Sequence, residues 1–158
     1  MIYQRGLGPS QPTLWKVPLA GGDPTPLAGT HALRPDVSPD GRAVAYFYME
    51  MPTGAGAQWR IGVASVENGS LIRSYGIPAT AMGRVVRWTR DGRALTYVNT
   101  IGGVANIWRQ PLAGGAPQSL TNFSTGQIET FAWSRDGRQL AIERTTLISD
   151  VTLISDFR

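Results

Sequence analysis

A chain of 158 residues with 42% hydrophobic and 16% charged positions can bury a single-domain core, and it is too apolar for a disordered charged tail. Its net charge of +4 comes from 15 basic and 11 acidic residues, with the arginines dispersed rather than gathered into the stripe that nucleic acid needs. With no Cys, disulfides, zinc–thiolate sites and a thiol nucleophile are excluded, and no stretch approaches the ~20 apolar residues of a helical membrane span. Neither nucleic-acid binding nor membrane insertion by this segment is expected. The first residues, MIYQRGLGPS, lack the basic-then-apolar pattern of a signal peptide.

Taken in chain order, the sequence reads as short strands divided by Gly and Pro turns. Residues 1–28 hold three, at MIYQ (1–4), LWKVP (14–18) and PTPLA (24–28). Residues 29–76 hold four: RPDV (34–37), AVAYF (43–47), a third beginning at Trp59, and SLIRSY (70–75). Residues 77–122 hold four more: VVRW (85–88), ALTYV (94–98), NIWRQPL (106–112) and PQSLT (117–121). Residues 123–158 hold TFAW (130–133), QLAIE (139–143) and a third strand, with no fourth. No window of ten residues carries the apolar stripe of a helix.

Two markers repeat in phase. SPDGRAVAY (38–46), TRDGRALTY (89–97) and SRDGRQLAI (134–142) place Asp40, Asp91 and Asp136 at spacings of 51 and 45. LWKVPLAGGDPTPL (14–27), WRIGVASVENGSLI (59–72) and IWRQPLAGGAPQSL (107–120) place Trp15, Trp59 and Trp108 at 44 and 49. A double repeat of this period, with four antiparallel strands per unit, means β-propeller blades. The alternative is a sandwich of independent hairpins. In each Asp-Gly turn the carboxylate is expected to accept backbone N–H groups and the Gly to take positive φ, so Asp40, Gly41, Asp91, Gly92, Asp136 and Gly137 read as structural. Val44 with Tyr46, Leu95 with Tyr97, and Leu140 with Ile142 share one strand face. Ala45, Thr96 and Ala141 make the other face small. The tryptophans, with Trp88 and Trp133 on first strands, are expected between blades.

These turns, each leading into an (A/Q)-(V/L)-(A/T)-(Y/I) strand, resemble the TolB-like, WD-like β-propeller repeat, whose signature is Ser-Pro-Asp-Gly-(Lys/Arg). The resemblance covers residues 13–158. Pro39 keeps the signature Pro, whereas Arg90 and Arg135 replace it. The end of the chain, FAWSRDGRQLAIERTTLISDVTLISDFR, resembles the C-terminus of bacterial proteins in which a Ser/Thr protein kinase or winged-helix regulator domain precedes such a propeller. The match runs from Ser149 to Arg158, and the near duplication of TLISDV by TLISDF reads as local drift. The resemblance implies a non-catalytic binding or sensor module, and an extracytoplasmic location.

Three, four, four and three strands make about three and a half blades, a partial ring. A partial ring is expected to expose apolar blade faces and to associate with itself or with missing blades. A near-closed four-bladed ring is the structural alternative. No catalytic motif emerges. His31 is the only His and no Gly-x-Ser-x-Gly elbow accompanies it. Kinase loops are absent, RGLGPSQ (5–11) lacks phosphate-cradle spacing, and the recurring aspartates fall a blade apart. No cofactor and no metal is expected. NGS (68–70) and NFS (122–124) are formal glycosylation sequons, and NGS is also a turn. A protein or small ligand would meet the loops leading into the innermost strands, which carry His31, Arg34, Arg84, Gln127 and Glu129. Two other functions fit the same fold. One is the substrate-gating propeller of a prolyl-oligopeptidase or tricorn-type peptidase, and the other is a periplasmic TolB-like translocation component.

Overall fold

The computed structural model describes residues 1–6, 13–29, 31–54, 56–81 and 85–146. The expected third strand of the last unit and the Ser149–Arg158 match lie outside them. Within the described residues are four antiparallel sheets. The first holds β1 (Ile2–Arg5), β2 (Thr13–Lys16) and β3 (Thr25–Ala28) in that order. The second holds β4 (Leu33–Val37), β5 (Ala43–Glu50), β6 (Gln58–Ser65) and β7 (Leu71–Gly76), and the third β8 (Val86–Trp88), β9 (Ala94–Ile101), β10 (Val104–Pro111) and β11 (Gln118–Ser119). The fourth is a pair, β12 (Gln127–Trp133) with β13 (Leu140–Thr145). The one helical turn described, Ala79–Ala81, joins the second sheet to the third.

The sheets pack face to face through seams fed by alternate residues of each strand. Val44 and Tyr46 turn toward the first sheet, with Leu14, Leu27 and Ala64. Ala45 and Phe47 turn the other way, onto Val86, Trp88, Leu95 and Tyr97 of the third sheet. Val98, Ala105 and Ile107 then face Ile128 and Phe131 of the fourth. The middle second strands are therefore buried on both sides, which explains their continuous apolar run.

Polar groups cross the same seams. The Trp88 backbone N–H donates to Asp36 Oδ2 at 2.8 Å, and its indole N–H donates to the Asp36 carbonyl at 3.0 Å. Burial pushes the Asp36 carboxyl up, against the opposing pull of the Trp88 N–H and the Arg87 guanidinium. Trp133 Nε1 donates to Thr96 Oγ1 at 3.1 Å. Between the first two sheets, Lys16 Nζ donates to the Val66 carbonyl at 3.0 Å.

The repeat register differs from the tryptophan spacing in one place. Tyr97 pairs with Trp108, Tyr3 with Trp15, but Tyr46 pairs with Gly62. The position of Trp15 and Trp108 is thus taken in the second sheet by Gly62, not by Trp59. The cause is steric: a Cβ on Gly62 would lie 3.0 Å from Tyr46 Cζ and 3.2 Å from a Tyr48 ring carbon. The two tyrosine rings occupy the indole's volume, and Trp59 packs from the opposite face into the seam with the third sheet.

Among the described residues, the expected broad apolar face does not occur on the last sheet. The side turned away from the third sheet carries Thr130, Ala132, Ala141 and Glu143, all exposed and mostly small or polar. Aromatic exposure of that kind is found instead at the first sheet, where Tyr3 and Trp15 are half-buried on the side turned away from the second.

Candidate functional site

One four-residue device builds the turn between first and second strands three times. Ser38 Oγ donates to Asp40 Oδ1 at 2.6 Å, the Arg42 N–H donates to the same oxygen at 3.1 Å, and the Ala43 N–H donates to Ser38 Oγ at 2.9 Å. Thr89, Asp91, Arg93 and Ala94 repeat these bonds at 2.6, 3.0 and 3.0 Å. Ser134, Asp136, Arg138 and Gln139 repeat them at 2.6, 3.0 and 2.9 Å. The Ser or Thr hydroxyl first, and the Arg backbone N–H second, hold all three carboxyls below the usual aspartate range. Each carboxylate is engaged within its own turn. Among the described residues, no group of three or more His, Asp or Glu is placed to hold a metal ion.

Successive turns touch. A Cβ on Gly92 would meet Pro39 Cδ at 3.8 Å, and one on Gly137 would meet Arg90 Cβ at 2.7 Å. The residue before the Asp of one turn therefore lies beneath the Gly of the next. Beside each contact the seam opens into a cleft. The first, about 330 Å³, has Val63, Ile72, Trp88 and Leu112 as apolar wall and Arg73 and Arg90 among its charged groups, with Asp40 and Asp91. The second, about 350 Å³, has Trp133 as aromatic wall with Arg90, Arg109, Asp91 and Asp136. Arg90 and Asp91 belong to both, so the clefts are neighbours on one face of the arc. Of their arginines, Arg90 is legible in sequence as a departure from the turn signature, whereas Arg73 and Arg109 are not. Their convergence is not legible either, because it arises between blades.

His31, on the loop into β4, and Arg34, Gln127 and Glu129, in the first residues of β4 and β12, lie where a channel mouth would form, at the opposite ends of the strands from the Asp-Gly turns. His31 and Arg34 adopt φ of 63° and 54°, the left-handed region, which costs a non-Gly residue about 1–3 kcal/mol. The Arg34 N–H donates to Gln4 Oε1 at 3.3 Å, tying this loop to the first sheet. Thr80 Oγ1 donates to Asn99 Oδ1 at 2.8 Å and holds the next loop. In the third, Asn106 Oδ1 accepts from Thr121 Oγ1 and from the Phe123 N–H, both at 2.8 Å. Gln127 Nε2 donates to the Gly103 carbonyl, and Glu129 Oε1 accepts from Thr145 Oγ1 at 3.2 Å. Gln127, Gly103, Thr125 and Thr145 line a cleft of about 440 Å³ at the last seam. His31 and Arg34 stand two seams away from it. Arg84 lies outside the described residues.

No family model matches the sequence, and no curated protein matches it. Solved structures do match. TolB from Acinetobacter baumannii superimposes with a TM-score of 0.65 at 21% identity, over 84% of this chain and 32% of that one. A TolB-type protein from Agrobacterium tumefaciens gives 0.67 at 17% identity, over 92% of this chain and 50% of that one. The β-propeller domain of the Trilobed protease from Pyrococcus furiosus, described by its open velcro topology, gives 0.52 at 19%, over 71% and 33%. The chain spans a third to a half of these solved chains. With the seams and repeated turns above, that likeness establishes the fold: an arc of TolB-like β-propeller blades.

Proposed function

We propose that the chain is a non-catalytic binding module that takes an extended protein segment along the turn face. The observation carrying this reading is the pair of adjacent clefts sharing Arg90 and Asp91. Each offers an aromatic wall for one apolar side chain, and the row is rich in guanidinium groups while its aspartates are already bonded in their turns. A segment alternating apolar and acidic residues fits it. The resemblance of the C-terminal residues supports a parent that is a bacterial signalling or regulatory protein, with a kinase or winged-helix domain and an extracytoplasmic propeller.

A second contact region is the channel mouth, favoured by the left-handed backbone at His31 and Arg34. There the ligand would also meet Gln127 and Glu129, with Arg84. The likeness to a protease propeller favours substrate gating as the second function, and the likeness to TolB favours a translocation component.

Peptides displayed on phage and selected on the chain test the choice of face. Selected peptides are expected to carry acidic residues beside apolar ones. Arg90→Glu should weaken them at least tenfold, and Trp88→Phe severalfold, with His31→Ala and Gln127→Ala near wild type. Loss of binding in the His31 and Gln127 variants alone would move the site to the channel mouth.

A further inference from the structure

The half-buried aromatic face of the first sheet has an internal counterpart whose packing is known. Tyr3 pairs with Trp15 across β1 and β2 as Tyr97 pairs with Trp108 across β9 and β10. The flanking residues match as well, Leu14-Trp15 against Ile107-Trp108, and both aliphatic members are fully buried toward the following sheet. In the third sheet, Tyr97 is 1% exposed in the seam with the second sheet, and Trp108 packs against the same cluster. Tyr3 and Trp15 therefore form the seam-facing surface of a blade, and among the described residues no sheet lies on it. Arg5 covers part of it, its guanidinium 4.9 Å from the Trp15 ring centre.

The opposite end of the arc carries the other half of such a seam. Ala141 occupies the repeat position of Ala45, which packs in the cluster that holds Tyr97 and Trp88. Beside it on the same face are Ala132, its cross-strand partner, and Thr130 with Glu143. A strip of small residues accepts two aromatic rings without steric cost. Glu143 lies two residues along from Ala141, as Arg5 lies two along from Tyr3, so docking one face on the other brings opposite charges to the same end.

We infer that two copies of the chain associate head to tail, with Tyr3, Arg5 and Trp15 of each first sheet seated on Ala132, Ala141 and Glu143 of the other copy's last sheet. The pairing is reciprocal and closes after two copies. Hydrophobic burial of the aromatic pair provides the attraction, and the Arg5–Glu143 pair fixes the orientation.

Light scattering coupled to size exclusion, on the 158-residue chain at micromolar concentration, tests this. The expected mass is twice 17.1 kDa. Arg5→Glu sets like charges together and should weaken association at least tenfold. Arg5→Glu combined with Glu143→Arg should recover it. Both positions are exposed, so neither change threatens folding, which far-UV circular dichroism checks. A monomeric wild type would overturn the inference, as would a dimer that Arg5→Glu leaves intact or that the double exchange fails to restore.

Discussion

Gly69→Ala is expected to be the most destabilising conservative change in the chain, by about 3–5 kcal/mol. Gly69 closes the turn between β6 and β7 at φ 74°, and its N–H donates to the Ser65 carbonyl at 2.9 Å. A Cβ there would sit 2.0 Å from the Leu27 carbonyl oxygen, which is backbone of the neighbouring sheet. Two separate penalties add: left-handed strain, and a clash that only a shift of the seam can relieve. Gly69→Asn separates them, because Asn tolerates the left-handed region while still carrying a Cβ. It should be nearly as damaging as Ala. Gly76→Ala is the control, with nothing within 4 Å of its Cβ position and no positive φ. Urea denaturation, compared by midpoint and slope, reads all three.

Phe47→Ala is the second large effect, at about 3–5 kcal/mol. Phe47 is fully buried on β5 and faces the third sheet among Ile61, Val86, Trp88 and Tyr97. Its loss leaves a cavity in the seam that joins the two complete sheets, bounded by β-strands that cannot collapse without breaking register. Val37→Ala should change stability by less than about 0.5 kcal/mol. Val37 holds the repeat position of Trp88 and Trp133 yet is 42% exposed. Denaturation midpoints of the two variants give the comparison.

Much of the fold could be read from residues because the information is local. Ser or Thr, Asp, Gly and Arg make a turn whose hydrogen bonds close within five residues, so each copy announces a first strand, a bend and a second strand. Strand faces follow from alternation: Val44 and Tyr46 are buried in one seam, and Leu95 and Tyr97 in another, each pair on a shared face as expected. Strand ends were less legible. β5 and β9 run to Glu50 and Ile101, beyond Phe47 and Val98, because the antiparallel ladder continues after the apolar alternation stops. β12 starts at Gln127 rather than Thr130, with an irregular register between Ile128 and Thr130 that periodicity does not reveal.

What depended on packing between units was hidden. Trp59 matches Trp15 and Trp108 by spacing, while the register places Gly62 at their position. Nothing in the sequence says that Tyr46 fills the space of a missing indole. The turn-face clefts were hidden for the same reason. Arg90 belongs to one turn by sequence and to two seams by position. Topology places His31 and Gln127 on one side of the arc without bringing them together.

Native-state hydrogen exchange most directly tests whether the four sheets form one arc held by its seams. It is best done on the Arg5→Glu chain, so that association does not cover the end sheets. Amides of β5 and β9, sandwiched on both faces, should exchange slowest, and those of β1 and β13, each with one face on which no described sheet packs, fastest. Protection that followed each hairpin separately, with β12 and β13 as slow as β9, would contradict the arc.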